Sequence, residues 1–322
     1  MSELLTVEQA AGRLAAADRI LLLTHQYPDG DTLGSGYALC LALRRLGKTV
    51  RVACADAIPE KYAYMTADVE MPAFEPAFVC AVDVADTRLL GDGLSAYADR
   101  VDLCIDHHGS NTQYAKELLL DAGCAATAML IYDVVRALGV PLDEAIAQCL
   151  YTGLATDTGC FKYSNTTALA HRMAADFIDC GIRYDLINRT MFDIKSRARL
   201  ELERLALESI RFYFGGRCAV MIITNEMVQR SGAGENDMEG LAPLPRQIEG
   251  VWVGVTMRQK PDGNYKVSVR TGSHADAADI CGRLGGGGHL RAAGCAMNRT
   301  AEEAVERLLA AIQEAVPGIG AR

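Results

Sequence analysis

Residues 20–31 read Ile20-Leu21-Leu22-Leu23-Thr24-His25-Gln26-Tyr27-Pro28-Asp29-Gly30-Asp31. Four consecutive apolar residues imply a strand buried on both faces, as in a parallel sheet covered by helices. The segment leaving that strand carries one imidazole and two carboxylates, His25, Asp29 and Asp31. Pro28 and Gly30 argue against a regular helix here, so the segment reads as a loop that aims several side chains at one place. In open α/β sheets, ligands bind beyond the carboxyl ends of the strands. Taken alone, such a loop reads equally well as a solvated turn. What decides is whether other strand ends supply partners.

They do. Asp83 follows the apolar run Phe78-Val79-Cys80-Ala81-Val82, and Asp106-His107-His108 follows Val101-Asp102-Leu103-Cys104-Ile105. A further acid, Asp157, ends the helical stretch 142–156 and opens the turn Asp157-Thr158-Gly159. The chain has only 6 histidines, and His25, His107 and His108 all fall in these segments. Buried carboxylates and imidazoles are costly unless paired or neutralised, so their concentration implies a metal or a paired network.

Working outward, the pattern predicts a helix over 5–17, a strand over 19–24, a helix over 32–46 and a strand over 48–55. Strands near 78–83 and 101–105 flank a helix expected at 86–98, and 123–192 reads as largely helical. Alternating strands and helices indicate an α/β fold, a mainly parallel sheet flanked by helices, spanning 1–192. A charged helical pattern then suggests a connector over 193–213. Residues 214–322, with β-type runs at 217–224, 250–258, 265–270 and 293–297 and helices near 275–283 and 300–315, read as a smaller α+β domain.

Composition narrows the function classes. At 322 residues with 50% hydrophobic content, a sizeable core in two domains is expected. The net charge of −9 argues against a surface that tracks long nucleic acids, though not against a short anionic substrate neutralised by bound cations. The 11 cysteines are scattered without paired spacing, which favours thiols in a reducing cytoplasm over a disulfide framework. No apolar stretch approaches the roughly 20 residues that span a bilayer, so no membrane association is expected.

The ligand-type residues His25, Asp29, Asp31, Asp83, Asp106, His107, His108 and Asp157 are too many for one tetrahedral zinc, and no thiolate accompanies them. Mixed oxygen and imidazole ligation suits two divalent cations, Mn²⁺ or Mg²⁺ with Fe²⁺ or Co²⁺ as alternatives, in a two-metal centre that hydrolyses phosphate esters. In the second domain, the run Gly285-Gly286-Gly287-Gly288-His289 reads as a flexible loop or as backbone that closely approaches an anion. Arg270, at the end of the β-type run 266–269, is placed to converge on the same anion.

The segments THQYPDGD (24–31), VDVAD (82–86), IDHHGSN (105–111) and YTGLATDTGCFKYSNTT (151–167) resemble the four motifs of the DHH phosphoesterase superfamily. KVSVRTGSHADAADICGRLGGGGHLRAAG (266–294) resembles the DHH-associated C-terminal domain, so the likeness covers nearly the whole chain. The two-domain size is most similar to the branch that degrades short RNA and dephosphorylates 3′-phosphoadenosine 5′-phosphate (pAp). The resemblance implies one metal held by His25, Asp29 and Asp83 and a second held by Asp31, Asp83, His107 and Asp157, with Asp83 bridging. Mn²⁺ is the first choice. His108 is implied as hydrogen-bond donor or general acid beside the phosphate, and Asp106 as a carboxylate orienting a histidine. Arg270, Gly286, Gly287, Gly288 and His289 are implied in substrate binding.

The function expected on this basis is two-metal hydrolysis of short RNA oligonucleotides and pAp, with no long nucleic acid as partner and a homodimer left open. Two alternatives stand beside it. One is a phosphodiesterase for linear or cyclic dinucleotides such as pApA and pGpG in nucleotide signalling. The other is a catalytically silent nucleotide sensor. Phe161 and Tyr163 are further candidates for stacking on a base, with core packing favoured for Phe161. Ser164-Asn165-Thr166 is expected to cap the following helix.

Overall fold

The apolar run Ile20–Leu23 forms a central strand whose side chains alternate between two cores, Ile20 and Leu22 in one, Leu21 and Leu23 in the other. The computed structural model describes residues 2–67, 69–238 and 240–321, and the chain divides into two compact units, Met1–Ile194 and Lys195–Arg322. The first unit contains, in chain order, β1 (Glu3–Leu4), α1 (Val7–Ala16), β2 (Ile20–Leu23), α2 (Gly30–Arg45), β3 (Val50–Ala53), α3 (Ala63–Thr66), β4 (Phe78–Val82), β5 (Leu103–Asp106) and β6 (Glu117–Leu120). The helices α4 (Thr127–Ala137), α5 (Glu144–Asp157), α6 (Ala168–Asp179) and α7 (Tyr184–Asn188) follow.

The sheet order is β1-β6-β5-β4-β2-β3, and every pairing is parallel. The chain runs from β2 outward to β3 and then returns to place β4 on the other side of β2. That reversal lies beside the ends of β2 and β4, where such sheets open a crevice. His25 and Asp83 leave the sheet there, and His107 and His108 follow β5 one strand further along.

Three local expectations are corrected. The helix expected over 32–46 already starts at Gly30, with Asp29 as its N-cap accepting from the amides of Asp31 (3.0 Å) and Thr32 (3.1 Å). Pro28 lies outside the helix, where a missing N–H costs nothing, so Asp31 sits in the first helical turn and not on a loop. The segment expected as a helix over 86–98 is two 3₁₀ stretches, Thr87–Leu90 and Asp92–Arg100, separated by Gly91 at φ 69°. The cap of α6 is Thr167, one residue beyond the expected trio, accepting from the Ala170 amide at 3.1 Å. The short strands β1 and β6 had no clear alternation to announce them.

The second unit comprises α8 (Arg197–Glu208), β7 (Arg211–Tyr213), β8 (Cys218–Ile223), α9 (Asn225–Ser231), β9 (Val253–Gln259), β10 (Tyr265–Thr271), α10 (Ala277–Gly282), β11 (Gly287–His289), β12 (Ala292–Met297) and α11 (Ala301–Ala315). Its sheet order is β11-β12-β10-β9-β8-β7, antiparallel except for β8 against β9. One face packs on α10 and α11 through Val255, Val267, Ile280 and Leu308. On the other face, Leu202 and Ala206 of α8 pack with Met221 and Ile223 of β8. Most of the stretch read as a connector over 193–213 therefore lies inside this unit, with α8 buried along one face.

Candidate active site

The carboxyl ends of β2, β4 and β5 and the ends of α2, α4 and α5 bring six side chains together. His25 Nε2 lies 3.6 Å from both Asp29 Oδ1 and Asp83 Oδ2. His107 Nε2 lies 3.3 Å from Asp157 Oδ2, 3.8 Å from Asp83 Oδ1 and 4.0 Å from Asp31 Oδ2. The two oxygens of Asp83 thus face different imidazoles. Two groups of ligand atoms close enough for a shared ion result, His25–Asp29–Asp83 and Asp31–His107–Asp157, and Asp83, His107 and His108 form a third.

Both imidazoles are fixed in the orientation a metal needs. His25 Nδ1 is 2.8 Å from the Gln26 carbonyl, and His107 Nδ1 is 3.1 Å from the Cys124 carbonyl. A carbonyl only accepts, so Nδ1 carries the hydrogen in each ring and Nε2 is left to face the carboxylates. Two ligands about 2.1 Å from one ion stand roughly 3.0–3.4 Å apart, close to the spacings seen here. The donor set therefore fits divalent cations.

Electrostatics give the same answer. Burial and the charges of Asp83, Asp157 and Asp29 push the Asp31 carboxyl well above its usual range, although the Thr127 amide hydrogen-bonds it. Burial, then Asp29 and Asp83, lift Asp157 to about 7. Burial opposes protonation of His25, but its approaches to Asp29 and Asp83 outweigh that and raise it to about 11. Four carboxylates crowded in this way call for more positive charge than two imidazoles supply.

The backbone is forced to build this cluster. Asp83 has φ 62°, a left-handed conformation rarely adopted outside glycine, and its amide donates to the Ile105 carbonyl at 2.9 Å. Beyond Asp157 the chain turns through positive φ at Gly159, Cys160 and Phe161. Gly153 of α5 has no room for a side chain, since a Cβ there would lie 2.7 Å from Asp31 Oδ1. Glycine at that point lets α5 close on α2 and brings Asp157 to Asp31.

The DHH family, N-terminal domain, matches residues 19–154, and the DHHA1 domain matches residues 216–317. The bifunctional oligoribonuclease and PAP phosphatase NrnA of Thermus thermophilus is 33% identical over 309 residues, 94% of this chain and 91% of that protein. The chain belongs to the DHH family. The protein of the same name from Bacillus subtilis is 24% identical over 92% of this chain and 94% of its own. In fold, the chain is similar to an exopolyphosphatase-related protein from Bacteroides fragilis, with TM-score 0.86, 24% identity, and 96% and 95% of the two chains covered.

Two more polar residues of the DHH domain flank the cluster. His108 Nδ1 is 2.7 Å from Asp106 Oδ1, and Asn111 donates to Asp106 Oδ2 at 2.7 Å. Asp106 thus holds His108, not His107. Its hydrogen bond raises His108 to about 9 against the effect of burial, with Asp83 adding to the rise. Burial acts the other way on Asp106, yet His108 and Asn111 keep its carboxyl below the usual range. His108 is half-exposed, so its Nε2 edge is available to a ligand.

Sequence reasoning missed the start of α4. Its N-cap is Ala126, which has no capping side chain, and Asp31 takes over that role from α2. Asp31 Oδ2 accepts from the Thr127 amide at 2.6 Å, and Oδ1 accepts from the Ala128 amide at 2.9 Å and the Ser35 hydroxyl at 3.1 Å. The Thr127 hydroxyl donates to Asp83 Oδ1 at 2.7 Å. A helix opening on Ala125-Ala126-Thr127 with no local cap was the available signal. Phe161 stacks on His171 at 5.1 Å, while Tyr163 is exposed above Gly159.

In the DHHA1 domain, the glycine run is no flexible loop. Gly287, Gly288 and His289 form β11, paired with Gly294, Ala293 and Ala292 of β12. Gly288 has φ 150°, and a Cβ on it would lie 2.5 Å from Ala293 Cα, so the glycine lets two backbones close together. Gly286 is likewise closed in by Gly294 and Cys295, whereas Gly287 is open. His289 is exposed, and Arg270 of β10 lies across from Ala292, which in turn pairs with His289.

Proposed function

We propose that the protein is a metal-dependent phosphohydrolase that cleaves short RNA oligonucleotides, dinucleotides included, and removes phosphate from pAp. The observation that carries this reading is Asp83, whose Oδ2 faces His25 and whose Oδ1 faces His107. His25, Asp29 and Asp83 would hold one cation, and Asp31, Asp83, His107 and Asp157 the other, with Mn²⁺ preferred over Mg²⁺, Fe²⁺ or Co²⁺ for this donor set. When bound, the two cations neutralise phosphoryl charge and acidify the attacking water.

The chain's own residues do the rest. Asp106 fixes His108 with its Nδ1–H engaged, so the protonated ring presents Nε2–H to the departing oxygen as a general acid. Arg270 and His289 bind a phosphate group of the substrate, and Gly286, Gly287 and Gly288 shape the strand that presents His289. The net charge of −9 suits a substrate with few phosphates, not a long strand. The relatives named as oligoribonucleases and PAP phosphatases align over nine-tenths of the chain. A signalling phosphodiesterase for cyclic dinucleotides is less favoured because a relative named for that activity is 23% identical and matched over only 49% of its own length, and a silent sensor because the donor set is complete.

All eleven cysteines are free thiols, and among the described residues no helix is long and apolar enough to cross a membrane. A cytoplasmic site of action is part of the proposal. The test is release of mononucleotide from pApA with Mn²⁺, with and without chelator, in wild-type protein and Asp83→Asn. Chelator and substitution should each abolish release while the circular dichroism spectrum is unchanged. Undiminished turnover by Asp83→Asn at saturating Mn²⁺ would sink the two-metal assignment.

A further inference from the structure

The DHHA1 sheet turns one cross-strand row away from its main core. Val253, Val255 and Met257 of β9, Val267 and Val269 of β10, and Ala293 and Cys295 of β12 all point into the core beneath α10 and α11. Their neighbours Gly254, Arg270 and Ala292 therefore project from the opposite face. The register places these three side by side, with His289 of β11 paired to Ala292 at the end of the row. Arg270 is flanked by a glycine and an alanine, so the sheet surface around it is low.

The space left by Gly254 is filled by Arg246, from the 3₁₀ turn Leu244–Gln247. A Cβ at Gly254 would collide with the backbone of Arg246. The side chain then runs to Gly272, just past the end of β10. There a Cβ would lie 2.8 Å from Arg246 Nη2 and 3.3 Å from Cζ. Gly272 does not have a positive φ, so its missing side chain serves space, not backbone conformation. Gly254 thus makes room for the backbone of Arg246, and Gly272 for its guanidinium.

That guanidinium is charged and unpaired. Among the described residues no carboxylate lies within ion-pair distance of Arg246, and its Nε is sealed from solvent without an acceptor. Other arginines nearby are spent differently. Arg291 Nη1 donates to the carbonyls of Gly272 and Ala275, and Arg217 donates to the carbonyls of Gly318, Ile319 and Ala321 while covering Trp252. A partly buried guanidinium with no counter-charge is costly, and a bound anion removes that cost.

We propose that Arg246 is a phosphate-binding residue of the DHHA1 domain, gripping a substrate phosphate other than the one being cleaved, in the row that holds Arg270 and His289. This rests on the phosphohydrolase reading above and adds a specificity determinant to it. Substrates with a second phosphate, such as pApA and pAp, gain from Arg246, whereas ApA does not.

The test compares pApA with ApA in wild-type protein, Arg246→Ala, Arg246→Lys and Gly272→Ala. Arg246→Ala should raise KM for pApA by about 10- to 100-fold, with a much smaller change in kcat, and collapse the preference for pApA over ApA. Arg246→Lys should recover part of it. Gly272→Ala leaves the charge in place but pushes the guanidinium aside, so it should reproduce the loss at a near-normal melting temperature. An unchanged preference in both Arg246→Ala and Gly272→Ala overturns the proposal. Calorimetric binding of pAp in chelator separates the two readings. If wild-type protein cleaves neither dinucleotide, the catalytic reading fails, while loss of pAp binding in Arg246→Ala alone still supports the arginine and equal binding still refutes it.

Discussion

Thr127, in the first turn of α4, donates its hydroxyl to Asp83 Oδ1 at 2.7 Å, and both side chains are buried. The same residue's amide donates to Asp31, so one helix start holds two carboxylates of the candidate metal centre. Fixing those oxygens in advance is what lets a cation bind without first ordering its ligands.

Thr127→Val keeps the shape and removes the hydroxyl. Mn²⁺ affinity should fall by about 10-fold or more, with turnover largely restored at high Mn²⁺. Titrating activity and calorimetric heat against Mn²⁺ checks this. Equal affinities in the two proteins would show that the hydroxyl only packs.

Metal uptake should depend on pH. Asp157 titrates at about 7, and burial with the neighbouring carboxylates pushes Asp31 well above the usual carboxylate range, so the metal-free protein holds protons that a cation must displace. Apparent Mn²⁺ affinity should rise from pH 5.5 through 7, with protons released into unbuffered solution. A flat affinity over that range would contradict the crowding of these carboxylates.

Stability of the metal-free protein should move the opposite way. A carboxyl raised to about 7 binds its proton more tightly in the fold than in the unfolded chain, so Asp157 favours folding more as pH falls from 7 toward about 4. His25, raised to about 11, contributes fully below about 6.5 and loses its contribution as pH climbs through 11. Chelator-treated protein should therefore melt higher at pH 6 than at pH 8. Saturating Mn²⁺ should remove or reverse that difference.

The Asp106–His108 pair has its own signature. His108→Ala should lower kcat by about 100-fold or more while leaving Mn²⁺ affinity near normal. Asp106→Asn should move the alkaline limb of the kcat profile down from about 9, because the aspartate's hydrogen bond is the largest cause of the raised His108 value. Parallel losses of metal affinity and kcat in both variants would place these residues in metal binding instead.

His289→Ala should raise KM for pApA more than it lowers kcat, since the proposal gives His289 a substrate phosphate to bind and no part in holding the metals. Steady-state kinetics at saturating Mn²⁺ decide it. A kcat loss at constant KM would move His289 into the chemistry.

The sequence by itself determined the strand Ile20–Leu23, the alternation of strands and helices, and the set His25, Asp29, Asp31, Asp83, His107 and Asp157. These are local signals: apolar runs set the strands, and ligand-type residues at their ends stand out against a chain with six histidines. Tertiary structure alone decided the rest, because it depends on which elements meet. That Asp31 caps α4, that Thr127 reaches Asp83, and that Gly153 lets α5 close on α2 are contacts between segments far apart in the chain. The same holds in the second unit. A glycine run reads as a loop until pairing with β12 makes it a strand, and Arg246 is one arginine among many until Gly254 and Gly272 are seen to make room for it.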